Sequence, residues 1–299
     1  MGIATLTKSA SLLSSDLHPV TDTDLQQLHN ILLEMAADIS EICQENHIQW
    51  SLSGGSILGA VRHKGFIPWD DDIDLFMFRK DLEKFKTIFP GRYAEKYMLQ
   101  LPGDEGYLYH FPKICRKNTT AQSIQSAPDA KEYVSIDIFV IENTYNGRIA
   151  RTLHGLTCTA FLLVDSIMRM KRCEYNMLKY GSGNQELCRA VKKRTFFAKL
   201  FCFFPLEKWL LISDRVFSIC QNTETDHVVV PSGTCHFFGE IYERSKLHRL
   251  KLENFEDRQF YIPEDSDYYL RIRYGNDYMT PPDSSKQEQH VFIKFDLTK

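Results

Sequence analysis

The spacing of apolar residues over the first fifty positions predicts one long helix. Apolar side chains recur there at every third or fourth position, which is typical of a helix with one buried face. They are Leu25, Leu28, Leu32, Met35, Ile39 and Ile42. Thr21 and Asp24 are residue types that cap a first helical turn, so we expect the helix to begin there.

From residue 48 the pattern changes to short apolar runs separated by turn residues. The run 48–52 predicts a strand, and Gly54-Gly55-Ser56 predicts a turn that opens a helix over 57–62. Apolar residues at alternate positions predict a second strand over 70–78. Further strands are predicted over 97–101, 107–117 and 134–141, with a helix over 80–89. We therefore expect strands interleaved with helices up to residue 147.

Beyond residue 147 the pattern becomes helical over 149–180, 185–201 and 205–221, with breaks at Gly181 and Pro205. A mixed segment follows and includes a helix near 265–274. The sequence thus predicts an α+β protein with a leader at 1–20 and a mixed-sheet core at 21–147. A mostly helical insertion at 148–235 and a mixed C-terminal segment at 236–299, which packs on the core, complete it.

Positive and negative charges nearly balance over the whole chain, but they are unevenly distributed along it. The 299 residues carry a formal net charge of −3, which argues against a nucleic-acid partner. Residues 148–208, however, hold twelve Lys and Arg against four Asp and Glu. We expect these basic, aromatic helices to form a cap on the core. The alternative is peripheral contact with a membrane surface.

The remaining composition favours a cytoplasmic protein. Eight cysteines show no spacing suited to structural zinc and are expected to be reduced thiols. The longest uncharged apolar run, 152–164, is shorter than the roughly 20 residues that a spanning helix needs. The first twenty residues lack the pattern of a signal peptide. We expect the protein in the cytoplasm, with the inner membrane face as a second location.

A cluster of acids is the strongest chemical signal. On a strand over 70–78, alternate residues Asp70, Asp72 and Asp74 would project to one face, while Asp71 would be solvated or cap a turn. Asp137 lies between Ile136 and Ile138 in another apolar run. A solvated acidic edge is the simple alternative. Buried carboxylates, in contrast, are costly unless they are paired or bind a metal.

Groups suited to phosphate precede these acids. A Gly-Gly-Ser turn at a helix start presents N–H groups to an anion, and Arg62, His63 and Lys64 add cationic or hydrogen-bonding groups nearby. Oxygen-only ligands suit Mg²⁺ or Mn²⁺, and two such ions about 4 Å apart can stabilise both oxygens of a phosphoryl transfer. Phosphoryl or nucleotidyl transfer is therefore the predicted reaction class.

The stretch from Gly55 through Arg62-His63-Lys64 and Pro68-Trp69 to Asp74 resembles the signature of the LicD family of phosphocholine transferases, which is related to fukutin. Further similarity lies in 136–139, 255–263 and 268–282. The family is similar to the nucleotidyltransferase superfamily. The resemblance therefore implies a nucleotidyltransferase-like mixed sheet with flanking helices as the catalytic core.

The resemblance also implies residue roles. It assigns Asp72, Asp74 and Asp137 as catalytic metal ligands, with Asp137 also helping to deprotonate the acceptor. Gly55 and Ser56 would hold the donor phosphates. Arg62, His63, Lys64 and Trp69 would contact the substrates. Trp69 is also a candidate, with Tyr107, Tyr109, Phe111 and Tyr133, for an aromatic cage around a quaternary ammonium, although core packing is favoured for most of these rings.

The implied reaction moves phosphocholine, or a similar phospho-alcohol, from CDP-choline or a similar CDP-activated donor to a sugar hydroxyl. The implied acceptor is a cell-surface glycan, such as a teichoic acid, lipopolysaccharide or capsule precursor, and it can be lipid-linked. Two alternatives stay open. One is a nucleotidyltransferase that uses a nucleoside triphosphate, and the other is a catalytically silent relative that acts in glycan assembly.

Overall fold

The first helix of the structure begins where its cap predicts. The computed structural model describes Leu17 and residues 20–201, 203–283 and 291–297, so most of the predicted leader lies outside the described residues. Helix α1 (Asp22–Glu45) begins with a capping box. Thr21 Oγ accepts a hydrogen bond from the Asp24 N–H at 3.1 Å, and the Asp24 carboxylate accepts one from the Thr21 N–H at 3.0 Å. Its apolar stripe is buried in the main core.

A curled mixed sheet forms the centre of the fold. Its strands are β1 (Trp50–Leu52), β2 (Asp74–Phe78), β3 (Tyr97–Gln100), β4 (Lys113–Arg116), β6 (Ser135–Asn143), β7 (His227–Val229) and β8 (Ile241–Glu243). The strand order is β1-β2-β6-β4-β3. Strand β7 pairs with the C-terminal end of β6, and β8 pairs with β7. Strands β2 and β6 are parallel, and the other pairs are antiparallel. Two small antiparallel pairs lie outside this sheet. One joins β5 (Thr120–Ser123) to β11 (Phe292–Asp296) from distant parts of the chain, and the other is the hairpin of β9 (Leu250–Phe255) with β10 (Arg258–Pro263).

Helices flank this sheet, which confirms the predicted α+β class. In the core these are α2 (Gly54–Arg62) and α3 (Arg79–Tyr93), and in the insertion α4 (Arg148–Tyr180), α5 (Gln185–Ala198) and α6 (Leu206–Phe217). The C-terminal segment adds α7 (His236–Gly239), α8 (Arg244–His248) and α9 (Ser266–Tyr274). The three long helices predicted after residue 147 are thus present. In the described part of the chain, none of the helices combines the length and apolarity needed to cross a bilayer.

Two strand predictions were too long by four residues or more. Strand β2 begins at Asp74 rather than at residue 70, because the preceding backbone is used in a turn. The Asp70 N–H bonds the Ile67 carbonyl at 2.8 Å, and the Asp70 carbonyl lies 2.7 Å from His29 Nε2. Strand β4 likewise begins at Lys113 rather than at residue 107. The Tyr107 hydroxyl bonds the Phe111 carbonyl at 2.6 Å, which folds the chain back on itself before the strand.

A buried ion network joins the insertion to the core. Arg79, at the start of α3, donates to Glu142 on β6 and to Asp214 on α6, the latter at 2.7 Å. Glu142 is 1% exposed, and its burial raises its pKa to about 7 despite the opposing charge of Arg79. The insertion is thus attached to the sheet by a charged contact as well as by apolar packing.

Candidate active site

Neighbouring strands bring Asp74 and Asp137 together. These residues are partners in the parallel pairing of β2 with β6, where Asp74 is the first residue of its strand. On the other side of β6, Lys113 is the partner of Asp137 in the antiparallel pairing with β4. Three adjacent strands in the middle of the sheet therefore carry Asp74, Asp137 and Lys113 side by side.

The loop before β2 supplies a second group of carboxylates. One oxygen from each of Asp70, Asp71 and Asp72 lies within 4.8 Å of the others. Among the described residues, this is the acidic group close enough to hold one metal ion, rather than the predicted set of Asp72, Asp74 and Asp137. Asp71 is 8% exposed, so the prediction that it is solvated is wrong. The turn after Pro68 folds it inward instead of leaving it on the outer face of a strand.

The carboxylates of this cluster repel one another electrostatically. The pKa of Asp74 is raised well above its usual value, first by burial and then by the negative charges of Asp72, Asp137 and Asp70. Such crowding is unfavourable without positive charge. The oxygen-only donor set and the mutual repulsion both fit a hard divalent cation such as Mg²⁺ or Mn²⁺. Asp70, Asp71, Asp72, Asp74 and Asp137 are the residues that could hold it.

Lys113 supplies a cation within the protein itself. Its Nζ lies 3.1 Å from Asp137 Oδ1 and 4.2 Å from the centre of the Tyr109 ring. It also lies 5.6 Å from the centre of the Phe111 ring. Burial alone would lower the pKa of Lys113, but Asp137 together with Tyr109, Glu132 and Cys115 outweighs burial, and the net shift is upward. Lys113 therefore stays charged and neutralises part of the acidic cluster.

The glycine-rich start of α2 points toward the acids. The Asp74 N–H donates to Ser56 Oγ at 3.0 Å, and the Gly54 N–H donates to the Tyr269 hydroxyl at 3.1 Å. A methyl group on Gly55 would lie 2.8 Å from an oxygen of Asp70. The positive end of this helix thus faces carboxylates. Ser56 contributes to the site by tying α2 to the first residue of β2. The phosphate-binding role of Gly55 and Ser56 stays a prediction.

The predicted basic residues contact the C-terminal segment. Arg62 donates to His63 Nε2 at 2.9 Å and to the Tyr278 carbonyl at 2.8 Å. Lys64 forms an ion pair with Glu253 at 3.2 Å, and the ring of His63 lies 6.4 Å from that of Trp69. Burial and the charge of Arg62 lower the pKa of His63, which keeps it neutral. These contacts hold the segment after residue 250 beside α2.

A cavity of about 960 Å³ opens beside the acidic cluster. Asp70, Asp71, Asp72, Lys113 and Asp137 line it, as do four of the five proposed cage aromatics, namely Tyr107, Tyr109, Phe111 and Tyr133. Of the other predicted site residues, Gly55, Ser56, Arg62, His63, Lys64, Trp69 and Asp74 are not among its described lining residues. Their predicted substrate contacts therefore do not follow from this cavity and stay predictions.

Several site residues were missed by the sequence analysis. Lys113 gave no pattern of its own because its partner Asp137 is 24 residues away along the chain. Tyr274 lies in the segment 268–282 that resembles the family, and no local pattern marks it as a site residue. The pKa of its phenol is raised by burial and by the charges of Asp74, Asp70 and Asp72, which places it beside the acids. Arg169 and Arg172, on α4, line the cavity and were hidden within a generally basic helix.

Comparison with known proteins bears on this geometry. Residues 47–154 match the family described as LicD/FKTN/FKRP, nucleotidyltransferase domain. The expected resemblance to the LicD family is confirmed. The LicD-type segment extends from just before β1 into the first turns of α4. It includes the five clustered aspartates and Lys113.

Individual relatives share different parts of the chain. A lipopolysaccharide cholinephosphotransferase LicD of Haemophilus influenzae is 25% identical over 285 residues, which cover 89% of this chain and 96% of the relative. The ribitol 5-phosphate transferases FKRP of mouse and human are each 39% identical over 51 residues, which cover 17% of this chain and 10% of the relative. The similarity to the bacterial protein thus includes the insertion, whereas the similarity to the mammalian proteins is short.

Proposed function

We propose that this protein is a metal-dependent transferase that moves phosphocholine, or a similar phospho-alcohol, from a CDP-activated donor to a sugar hydroxyl of a cell-surface glycan. The observation that carries the proposal is a cavity walled by the acids of a LicD-type nucleotidyltransferase segment. The near full-length similarity to a lipopolysaccharide cholinephosphotransferase supports phosphocholine and a glycan acceptor. CDP-choline is the proposed donor, and lipopolysaccharide, teichoic acid and capsule precursors are compatible acceptors.

The bond changes follow from phosphoryl transfer. The acceptor hydroxyl oxygen forms a bond to the phosphorus that carries the choline, and the bond from this phosphorus to the oxygen of CMP breaks. CMP leaves with the bonding electrons, and the hydroxyl proton passes to a carboxylate, for which Asp137 is the proposed base. A Mg²⁺ or Mn²⁺ ion held by carboxylates of this cluster, from among Asp70, Asp71, Asp72, Asp74 and Asp137, would neutralise the charge that develops on the phosphate oxygens.

The side chains around these acids hold them in place for that chemistry. Ser56 fixes the backbone of Asp74, and Lys113 fixes the carboxylate of Asp137 by its ion pair. Tyr107 and Tyr133 line the cavity beside the acids and shape the space in which the reacting phosphate would lie. These residues therefore orient the reacting groups and do not themselves change covalently.

Isothermal titration tests the donor. CDP-choline, CDP-ribitol and CTP are titrated into the whole chain in Mg²⁺ and again in EDTA. We expect binding of CDP-choline in Mg²⁺ and its loss in EDTA. A preference for CTP would replace the proposal with nucleotidyl transfer from a nucleoside triphosphate. Absence of binding for all three would contradict the CDP-activated donor and favour either another activated donor or the catalytically silent relative.

Substitution of Asp72 tests the site. Asp72→Asn removes one negative charge from a crowded cluster, so we expect the fold to be kept and metal-dependent turnover to be lost. Asp257→Asn is the matched control, because Asp257 is exposed in the turn between β9 and β10. Release of CMP from CDP-choline in the presence of a glycan acceptor measures both variants. Full activity of Asp72→Asn would contradict the assignment of Asp72.

A further inference from the structure

The cavity has walls of opposite charge. Its acidic lining residues all come from the core, and they are Asp70, Asp71, Asp72, Glu105, Asp129, Glu132 and Asp137. The described lining residues after position 148 include Arg169, Arg172 and His236 but no acid. The insertion therefore adds a basic wall to a cavity whose other side is acidic.

Arg169 is held against an aromatic ring rather than against an acid. Its guanidinium carbon lies 5.3 Å from the centre of the Tyr109 ring. Neither Arg169 nor Arg172 forms an ion pair within the described chain. By contrast Lys171, between them on α4, is paired with Glu174. The two arginines therefore present positive charge toward the cavity.

The Tyr109 ring argues against a cationic ligand at this basic wall of the cavity. Lys113 contacts the Tyr109 ring at 4.2 Å, so this ring already lies near two cations. The faces of Tyr109 and Phe111 are therefore poor places for a quaternary ammonium. The cavity is also lined by Ser232 and Thr234, whose hydroxyl groups can donate hydrogen bonds, and Arg169 and Ser232 both lie close to His110. An anion with several oxygens matches this set of donors.

We propose that Arg169 and Arg172 bind a phosphate group of a substrate directly, without a divalent cation. This inference rests on the proposed function for the identity of the substrates but not for the binding itself. A guanidinium group matches a phosphate in shape and charge and can donate two parallel hydrogen bonds. Two substrates carry this chemistry, a CDP-activated donor with its diphosphate and a glycan acceptor that is itself phosphorylated.

Binding of a simple sugar phosphate in EDTA tests the site apart from the metal. Glucose 6-phosphate, with glucose as its uncharged counterpart, is titrated into the whole chain and into Arg169→Gln and Arg172→Gln. Lys171→Gln is the matched control, since it removes the same charge from the same helix outside the cavity. A second titration with CDP-choline in Mg²⁺ measures the donor.

We expect glucose 6-phosphate to bind in EDTA, glucose not to bind, and each arginine variant to weaken the sugar phosphate about tenfold or more. Lys171→Gln should change the affinity less than about twofold. If the arginine variants lose about tenfold in affinity for CDP-choline but none for glucose 6-phosphate, the same site binds the donor diphosphate. Unchanged affinity for both ligands in both arginine variants would overturn the proposal.

This design separates the site from the proposed function. If wild-type protein fails to bind CDP-choline in Mg²⁺ yet binds the sugar phosphate in EDTA, the donor assignment fails and the phosphate site stands. The side chain of Arg172 belongs to an exposed residue of α4, so Arg172→Gln is expected to fold. Arg172→Gln therefore decides the outcome even if Arg169→Gln proves unstable.

Discussion

At the scale of single residues, the acidic cluster depends on the absence of a side chain at Gly55. A Cβ atom there would lie 2.8 Å from Asp70 Oδ2, and real Cβ atoms do not come that close to oxygen. We expect Gly55→Ala to displace the Asp70 carboxylate, because this carboxylate can rotate whereas the helix cannot shift as easily. The free energy of unfolding should change by less than about 1 kcal/mol, since Ala is a better helix former than Gly.

The measurement is Mn²⁺ affinity beside thermal unfolding. Misplacing a group in a metal site typically weakens metal binding about 10- to 100-fold, and we expect a loss in that range for Gly55→Ala. Gly91→Ala in α3 is the control, because a Cβ at Gly91 would meet no atom within 4 Å. Equal Mn²⁺ affinity in Gly55→Ala and wild type would mean that Asp70 does not contribute to the metal site.

At the scale of elements, the contact between α4 and α6 contains an acid without a good partner. Asp165 is 2% exposed, and neither of its oxygens makes a well-formed hydrogen bond. Burial raises its pKa from 3.8 to about 7, and the nearby Ser213 offsets only part of this shift. The folded protein therefore binds a proton at Asp165 that the unfolded chain releases near pH 4. The stabilising effect is present at low pH and is lost as the pH rises through about 7.

Thermal unfolding at several pH values tests this. The difference in free energy of unfolding between wild type and Asp165→Asn should change by about 3 kcal/mol between pH 4 and pH 8, with Asp165→Asn the more stable protein at pH 8. Glu186→Gln, an exposed acid of α5, is the control and should show no such slope. A parallel pH dependence of Asp165→Asn and wild type would show that this carboxyl group is not buried in its neutral form.

The elements themselves show how far sequence patterns reach. Helix α1 and the three insertion helices were predicted within a few residues, because their apolar periodicity and their breaks at Gly181 and Pro205 are local signals. Strand β2 was predicted four residues too long, because the turn that includes Asp70 is stabilised by His29, which is 41 residues away. Likewise Asp72, Asp74 and Asp137 could be predicted from a motif, but Lys113 and Arg169 reach the cavity only through tertiary packing.

At the scale of the whole molecule, Arg79 connects the catalytic core with the insertion. It contacts Glu142 on the sheet and Asp214 on α6 in one buried network. Removing the arginine leaves Glu142, which is 1% exposed, without its counter-charge. We expect Arg79→Met to lower the free energy of unfolding by about 3–5 kcal/mol.

Chemical denaturation measures this loss, and a double variant separates its causes. Arg92→Met is the control, because the ion pairs of Arg92 with Glu41 and Glu45 are exposed and its loss should leave the denaturation midpoint nearly unchanged. Adding Glu142→Gln to Arg79→Met should restore part of the stability, since it removes the unpaired buried charge. A small effect of Arg79→Met alone would mean that apolar packing by itself joins the insertion to the core.

The insertion also presents an apolar row to solvent. On α4 the exposed residues Ile149, Leu153, Leu156 and Leu163 are spaced as on one helix face, and Ile149 is 81% exposed. The surrounding segment 148–208 has eight more positive than negative charges. An amphipathic, basic helix of this kind suits the surface of an anionic bilayer. We therefore expect the whole chain to bind vesicles that contain phosphatidylglycerol, and to bind pure phosphatidylcholine vesicles much less.

Co-sedimentation with vesicles tests this expectation at low and high salt. Charge attraction should make binding fall as salt rises, because screening shortens its range to about 3 Å at 1 M. Replacing both Leu153 and Leu156 with Gln should abolish sedimentation, since it removes apolar area without changing charge. Leu252→Gln is the control, because Leu252 is 52% exposed on the hairpin strand β9, far along the chain from α4. If wild type stays in the supernatant with anionic vesicles, the row on α4 does not bind lipid, and the helical cap on the core is the better account of the insertion.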